Sequence, residues 1–118
     1  MSLKTEQQLV VNRVVALLTI ASSLLWFSWV GLNRLVARDE GFYVYAVKLV
    51  LGGQTPYLDF FYPQMPLLPY FYTPFIAAFG ESWQVLRLTN GVLNTAIAWM
   101  IFSFVSSRAN NFFAFLAV

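Results

Sequence analysis

Three stretches of this chain run without a charge for about the thickness of a lipid bilayer, and they restrict the folds open to it more than any other feature. Val14 to Asn33 is 20 residues long between Arg13 and Arg34. Phe60 to Gly80 is 21 long between Asp59 and Glu81, and Leu88 to Ser107 is 20 long between Arg87 and Arg108. A helix rises about 1.5 Å per residue, so about 20 apolar residues cross a hydrocarbon core of roughly 30 Å. The chain is 118 residues long, 59% hydrophobic and 10% charged. A soluble domain of this size has too little interior to hide that much apolar surface. The expected fold is therefore an all-α integral membrane protein.

The expected elements follow from these windows. Helix one covers about 10–36, an outer loop 37–62, helix two about 63–80 and helix three about 84–107. A run FFAFLAV over 112–118 reads as the start of a fourth helix, too short to cross, as if the chain were cut within an element. A cleaved signal peptide is the rival for the first window, but such apolar regions run about 7–15 residues. No small-x-small site follows in WVGLNRLV, which favours an uncleaved anchor. Pro63 and Pro66 suit the approach to helix two, whereas Pro69 and Pro74 are expected to kink it. In the third window, Asn90, Asn94 and Thr95 are expected on a protein-facing side.

The stretch from Arg34 to Pro66 holds six of the twelve charges: Arg34, Arg38, Asp39, Glu40, Lys48 and Asp59. Within it EGFYVYAVKLVLGG predicts a short helix at the membrane surface from Glu40 to Leu51. Phe42, Tyr45, Ala46, Leu49 and Val50 share one face, Gly52-Gly53 stops it, and Asp39 stands where an N-cap belongs.

The available chemistry is narrow. The chain has neither Cys nor His, which removes disulfides, thiolate nucleophiles and the commonest general base and transition-metal ligand. Proton transfer near neutral pH falls to Glu6, Asp39, Glu40, Asp59 and Glu81, and any metal would be a hard cation such as Mg, Mn or Ca. A net charge of +2 gives no reason to expect nucleic acid. Basic residues do not orient the chain either: Lys4, Arg13 and Arg87 fall on one side, and Arg34, Arg38, Lys48 and Arg108 on the other.

These residues, in this order, resemble the opening of the GT-C glycosyltransferases, closest to the protein-mannosyltransferase-like and aminoarabinose-transferase-like group. The likeness rests on an apolar first helix followed by Asp39-Glu40, then Tyr43, Tyr45 and Ala46, and GGQTPYLD at Gly52–Asp59. It continues through YPQMPLLPY, Phe79-Gly80, Arg87 and Asn90, covering about Val14 to Phe104. The resemblance implies a membrane enzyme of ten or more helices. It would move a sugar from a polyprenyl-phosphate carrier to a lipid, glycan or protein acceptor on the non-cytoplasmic side. It implies a cytoplasmic N-terminus, a first loop outside the plasma (inner) membrane, and a catalytic acid at Asp39. Some relatives carry a second acid near the position of Gln64, here an amide, which leaves Asp59 as a substitute. Glu40 and Asp59 become candidates for acceptor or metal (Mg or Mn) binding. Arg38 and Lys48, with Arg34, become candidates for the carrier phosphate.

Each residue also has a plainer reading. Asp39 could serve only as a helix cap, Glu40 as a solvated first-turn acid, Asp59 as a turn former and Lys48 as a snorkelling side chain. Arg34, Arg87 and Arg108 could anchor helix ends, and the aromatics from Tyr57 to Tyr72 could form an interfacial belt rather than a sugar or prenyl platform. The alternative to an enzyme fragment, inactive on its own, is a small non-catalytic carrier, flippase component or structural subunit for lipid-linked sugars.

Overall fold

The computed structural model describes residues 3–37 and 39–118. Among these, regular structure is helical throughout: α1 (Leu3–Asn33), α2 (Glu40–Leu51), α3 (Leu67–Phe79), α4 (Trp83–Ser106) and α5 (Asn111–Leu116). Two helices are long and apolar enough to cross a membrane, Val10–Asn33 within α1 and Trp83–Ser106. The expectation of three full-length spans meets its exception in α3. Its 13 residues give about 20 Å of helix, short of the roughly 30 Å hydrocarbon core. The uncharged window from Phe60 is long enough, but its first seven residues are spent on an irregular segment that Pro63 and Pro66 keep out of the helix.

The chain divides into two compact units, Gly31–Thr89 and a second made of the residues up to Val30 with Asn90–Val118. In the first unit, α2 packs on α3. Val47, Tyr72, Ile76 and Leu86 form its core, with Tyr43, Val44, Leu68, Phe75 and Val85 against them. α2 has the bounds its sequence predicts. It stops in a Schellman motif: Gly53 takes φ +87°, its amide donates to Val50 O (2.9 Å), and Gln54 N reaches back to Leu49 O (3.0 Å).

Pro66 occupies the N-cap position of α3 at φ −75°. Pro69 falls in the first turn, where an amide would have had no helical acceptor, so it costs the helix nothing. Only Pro74 lies in the interior, removing the donor that would have bonded the Tyr70 carbonyl. Gly80 then ends the helix at φ +94°, a value that a side chain would strain. Ser82 opens α4, its hydroxyl accepting from Gln84 N at 3.1 Å.

In the second unit, the hydroxyls of Thr19 and Ser23 on α1, and of Thr95 on α4, are buried. Each bonds a carbonyl four residues back in its own helix, at 2.9, 2.7 and 2.8 Å respectively. Gly91 approaches α1 so closely that a β-carbon there would lie 3.2 Å from Ser28 Oγ. Of the three polar residues expected on a protein-facing side of α4, only Thr95 is buried; Asn90 and Asn94 are exposed. α5 is capped by the Asn110 side chain, which accepts from Phe113 N. Asn111 Nδ2 donates to Asn12 Oδ1 at 2.7 Å.

Candidate functional site

The charges of the loop are brought to order by a residue outside it. Arg87 stands in the second turn of α4, and its side chain is 3% exposed. A lone buried guanidinium would be expensive, so its donors must all be answered. Nη1 donates to Gly31 O at 2.8 Å and Arg34 O at 2.9 Å. Nη2 donates to Leu35 O at 3.2 Å and lies 2.7 Å from Glu40 Oε2, and Nε donates to that same oxygen at 2.8 Å. The guanidinium also lies over the Trp83 ring, 4.3 Å from its centroid. The carbonyls it takes belong to the last turn of α1 and the residues beyond, where no helical donors remain.

Glu40 completes the cluster. Its other oxygen, Oε1, accepts from Arg34 Nη2 at 2.7 Å. Glu40 is 12% exposed and Arg34 55%, so the pair runs from the interior to the surface. The expectation of a solvated first-turn acid is corrected: Glu40 is a bridge between two arginines. Burial alone would push its carboxyl up. The Arg87 hydrogen bond and charge, a bond involving Ala37 and the Arg34 charge together hold it below the ordinary value of 4.5. Arg87, expected only as an interfacial anchor, is the buried centre of this cluster.

Asp39 takes the N-cap position of α2, with its carbonyl accepting from Tyr43 N at 3.1 Å. Its backbone is helical there (φ −84°, ψ −18°) and its side chain makes no capping bond. An N-cap side chain normally needs an extended backbone to reach back to the helix amides. The cap reading thus holds for position and not for the carboxylate, which is exposed.

Asp59 behaves as a turn former: Oδ2 accepts from Thr55 N at 2.7 Å and its own amide donates to Thr55 O at 2.9 Å. Lys48 Nζ is paired with Glu81 Oε2 at 2.7 Å, which raises the lysine's proton affinity. Arg38 lies outside the described residues. Gln64 donates to Tyr43 Oη at 2.8 Å, and its carbonyl accepts from Tyr57 Oη.

The structure therefore joins Glu40 to Arg34 and Arg87, and commits Asp59 and Lys48 to local partners. Among the described residues no three acidic side chains converge on one point. Both Glu40 oxygens are taken by arginines and an Asp59 oxygen by a backbone amide. Sequence reasoning missed Arg87 as a site residue. The available signal was electrostatic, since a cation so near a helix N-terminus gains nothing from the dipole and calls for a carboxylate partner. It also missed Tyr62, 1% exposed and stacked on Phe42 with ring centroids 5.5 Å apart. Its hydroxyl has no hydrogen-bond partner among the described residues, and burial raises its pKa.

No protein-family model matches the chain, and no characterised protein or solved structure does either.

Proposed function

We propose that this chain is the opening portion of a membrane glycosyltransferase of GT-C type. In this reading a sugar passes from a polyprenyl-phosphate carrier to an acceptor hydroxyl, and Asp39 is the general base. The observation that carries the reading is the state of the acidic pair. Glu40 is locked between Arg34 and Arg87, while Asp39 beside it keeps an exposed carboxylate that its own helix does not use. Two adjacent acids with such different surroundings suit a division into a structural and a chemical role.

The step balances simply. The acceptor oxygen forms a bond to the anomeric carbon as its proton moves to an Asp39 oxygen. The bond from that carbon to the carrier phosphate breaks, and the polyprenyl phosphate leaves with the electron pair. The base must lie within hydrogen-bond reach of the hydroxyl. An exposed carboxylate on a helix-initiating residue is open to such an approach. The two long apolar helices suit a membrane setting; in this reading the N-terminus is cytoplasmic and the α1–α3 connection lies on the far side.

The decisive variant is Asp39→Asn in the full-length protein, assayed for sugar transfer from a polyprenyl-phosphate donor. A loss of about 10²–10⁴-fold is expected with the protein still folded and in the membrane. Asp59→Asn, which touches only a turn, should do much less. Near-normal transfer by Asp39→Asn would sink the base assignment. The orientation has its own test, made clean by the absence of native Cys. A thiol placed at Gln54 should react with a membrane-impermeant reagent in intact cells; labelling only after permeabilisation would reverse the topology.

A further inference from the structure

We infer that Arg87 is the positioning residue for Asp39, setting the backbone that presents its carboxylate by closing the α1–α2 connection at both ends on one guanidinium. The geometry is specific. Arg87 holds the carbonyls of Gly31, Arg34 and Leu35 on the upstream side. It holds the Glu40 carboxylate on the downstream side, through two donors converging on Oε2. Asp39 lies within the short stretch between those attachments. Glu40, next to it, is fixed from outside the loop by a side chain 47 residues further on in sequence. Among the described residues, the backbone bonds of the connection are Glu40 N to Ala37 O at 3.1 Å and Tyr43 N to Asp39 O at 3.1 Å. No capping bond ties the Asp39 side chain down.

Only arginine can do this. Its planar fork presents five N–H donors in fixed directions, and here they divide between carbonyls on one edge and a carboxylate on the other. Lysine would keep the charge but offers a single point with three donors, and cannot span both attachments. Arg34 adds a second hold on Glu40 from the exposed side, so Glu40 stays fixed in side-chain position as well as in charge. The catalytic meaning of this arrangement rests on the proposed base role of Asp39; the positioning itself does not.

Hydrogen–deuterium exchange on the full-length protein, read by mass spectrometry, separates the two. In Arg87→Lys, and more so in Arg87→Gln, peptides over Leu35–Tyr43 should gain exchange rate by about tenfold or more beyond whatever acceleration a loss of global stability gives those over Leu67–Phe79. A residue that merely contributes to global stability would speed exchange in both equally. Uniform acceleration, or unchanged exchange at Leu35–Tyr43 in both variants, overturns the proposal. Where transfer is assayed alongside, Arg87→Lys should lose it in parallel with the local loosening. If Asp39→Asn leaves transfer intact while the local exchange pattern holds, the base assignment fails and the positioning stands.

Discussion

Replacing Arg87 by Met tests the central claim about how the first unit is held. Methionine keeps most of the stem volume, so packing against Trp83 is largely retained while every charged donor is lost. Three carbonyls of the α1 terminus lose their partner, and Glu40 loses one of its two cations. Hydrogen bonds to charged groups contribute about 1.5–3 kcal/mol each, and a plain sum would exaggerate the loss because desolvating the guanidinium offsets much of it. Breaking a buried ion pair from one side costs about 3–5 kcal/mol. Glu40 keeps the exposed Arg34 and some access to water, which places the expected loss near the lower end, about 3 kcal/mol. That is on the order of a hundredfold in the folded-to-unfolded ratio. The assay is reversible unfolding of the full-length protein in mixed micelles, followed by helical circular dichroism. Lys48→Met is the comparison, since both partners of that pair are about half exposed and solvent screens them; it should leave the transition unmoved. A loss below about 1 kcal/mol for Arg87→Met, or equal effects of the two variants, would refute the reasoning.

The remaining predictions concern pH and packing. Glu40 has a folded-state pKa below its ordinary value of 4.5, so on acidification the unfolded chain takes the proton first. Its contribution to stability should be complete above that value and fade as pH falls through the folded-state pKa; Glu40→Gln should flatten that acid limb in a series of unfolding midpoints, and an unchanged limb would count against the bridge. Gly91→Leu should cost about 1–3 kcal/mol in the same unfolding assay, because a β-carbon already meets Ser28 Oγ at 3.2 Å and longer atoms force α1 and α4 apart there. A neutral result would mean that the contact can shift freely.

Much of the local structure is legible in the residues themselves. α2 starts after the acidic pair and ends at Gly52-Gly53, because a helix can close with a left-handed residue most cheaply where there is no β-carbon. The long windows of α1 and α4 announce themselves by length and hydropathy. Even α3 carries its own limits in Pro66 and Gly80. The uncharged window around it does not by itself say how much of it is helix.

The candidate site was legible only in part. Asp39 could be singled out from its place before α2, but whether its carboxylate caps the helix depends on one pair of backbone angles, and those are set by what holds the segment on either side. Glu40 and Asp59 look alike as acids in a charged loop. One is taken inward by two arginines, and the other turns on its own backbone within four residues. Asp59's fate is local and follows from a short turn sequence. Glu40's fate is decided by a guanidinium 47 residues away, and no periodicity or spacing along the chain encodes that meeting. By itself the sequence determined where α2 begins and ends and where α3 stops, since those limits depend on side-chain sterics and backbone bonds within a few residues. Only the tertiary structure decided which charges are buried together, because the desolvation of Arg87 is offset by groups that become its neighbours only when α1, α2 and α4 come together.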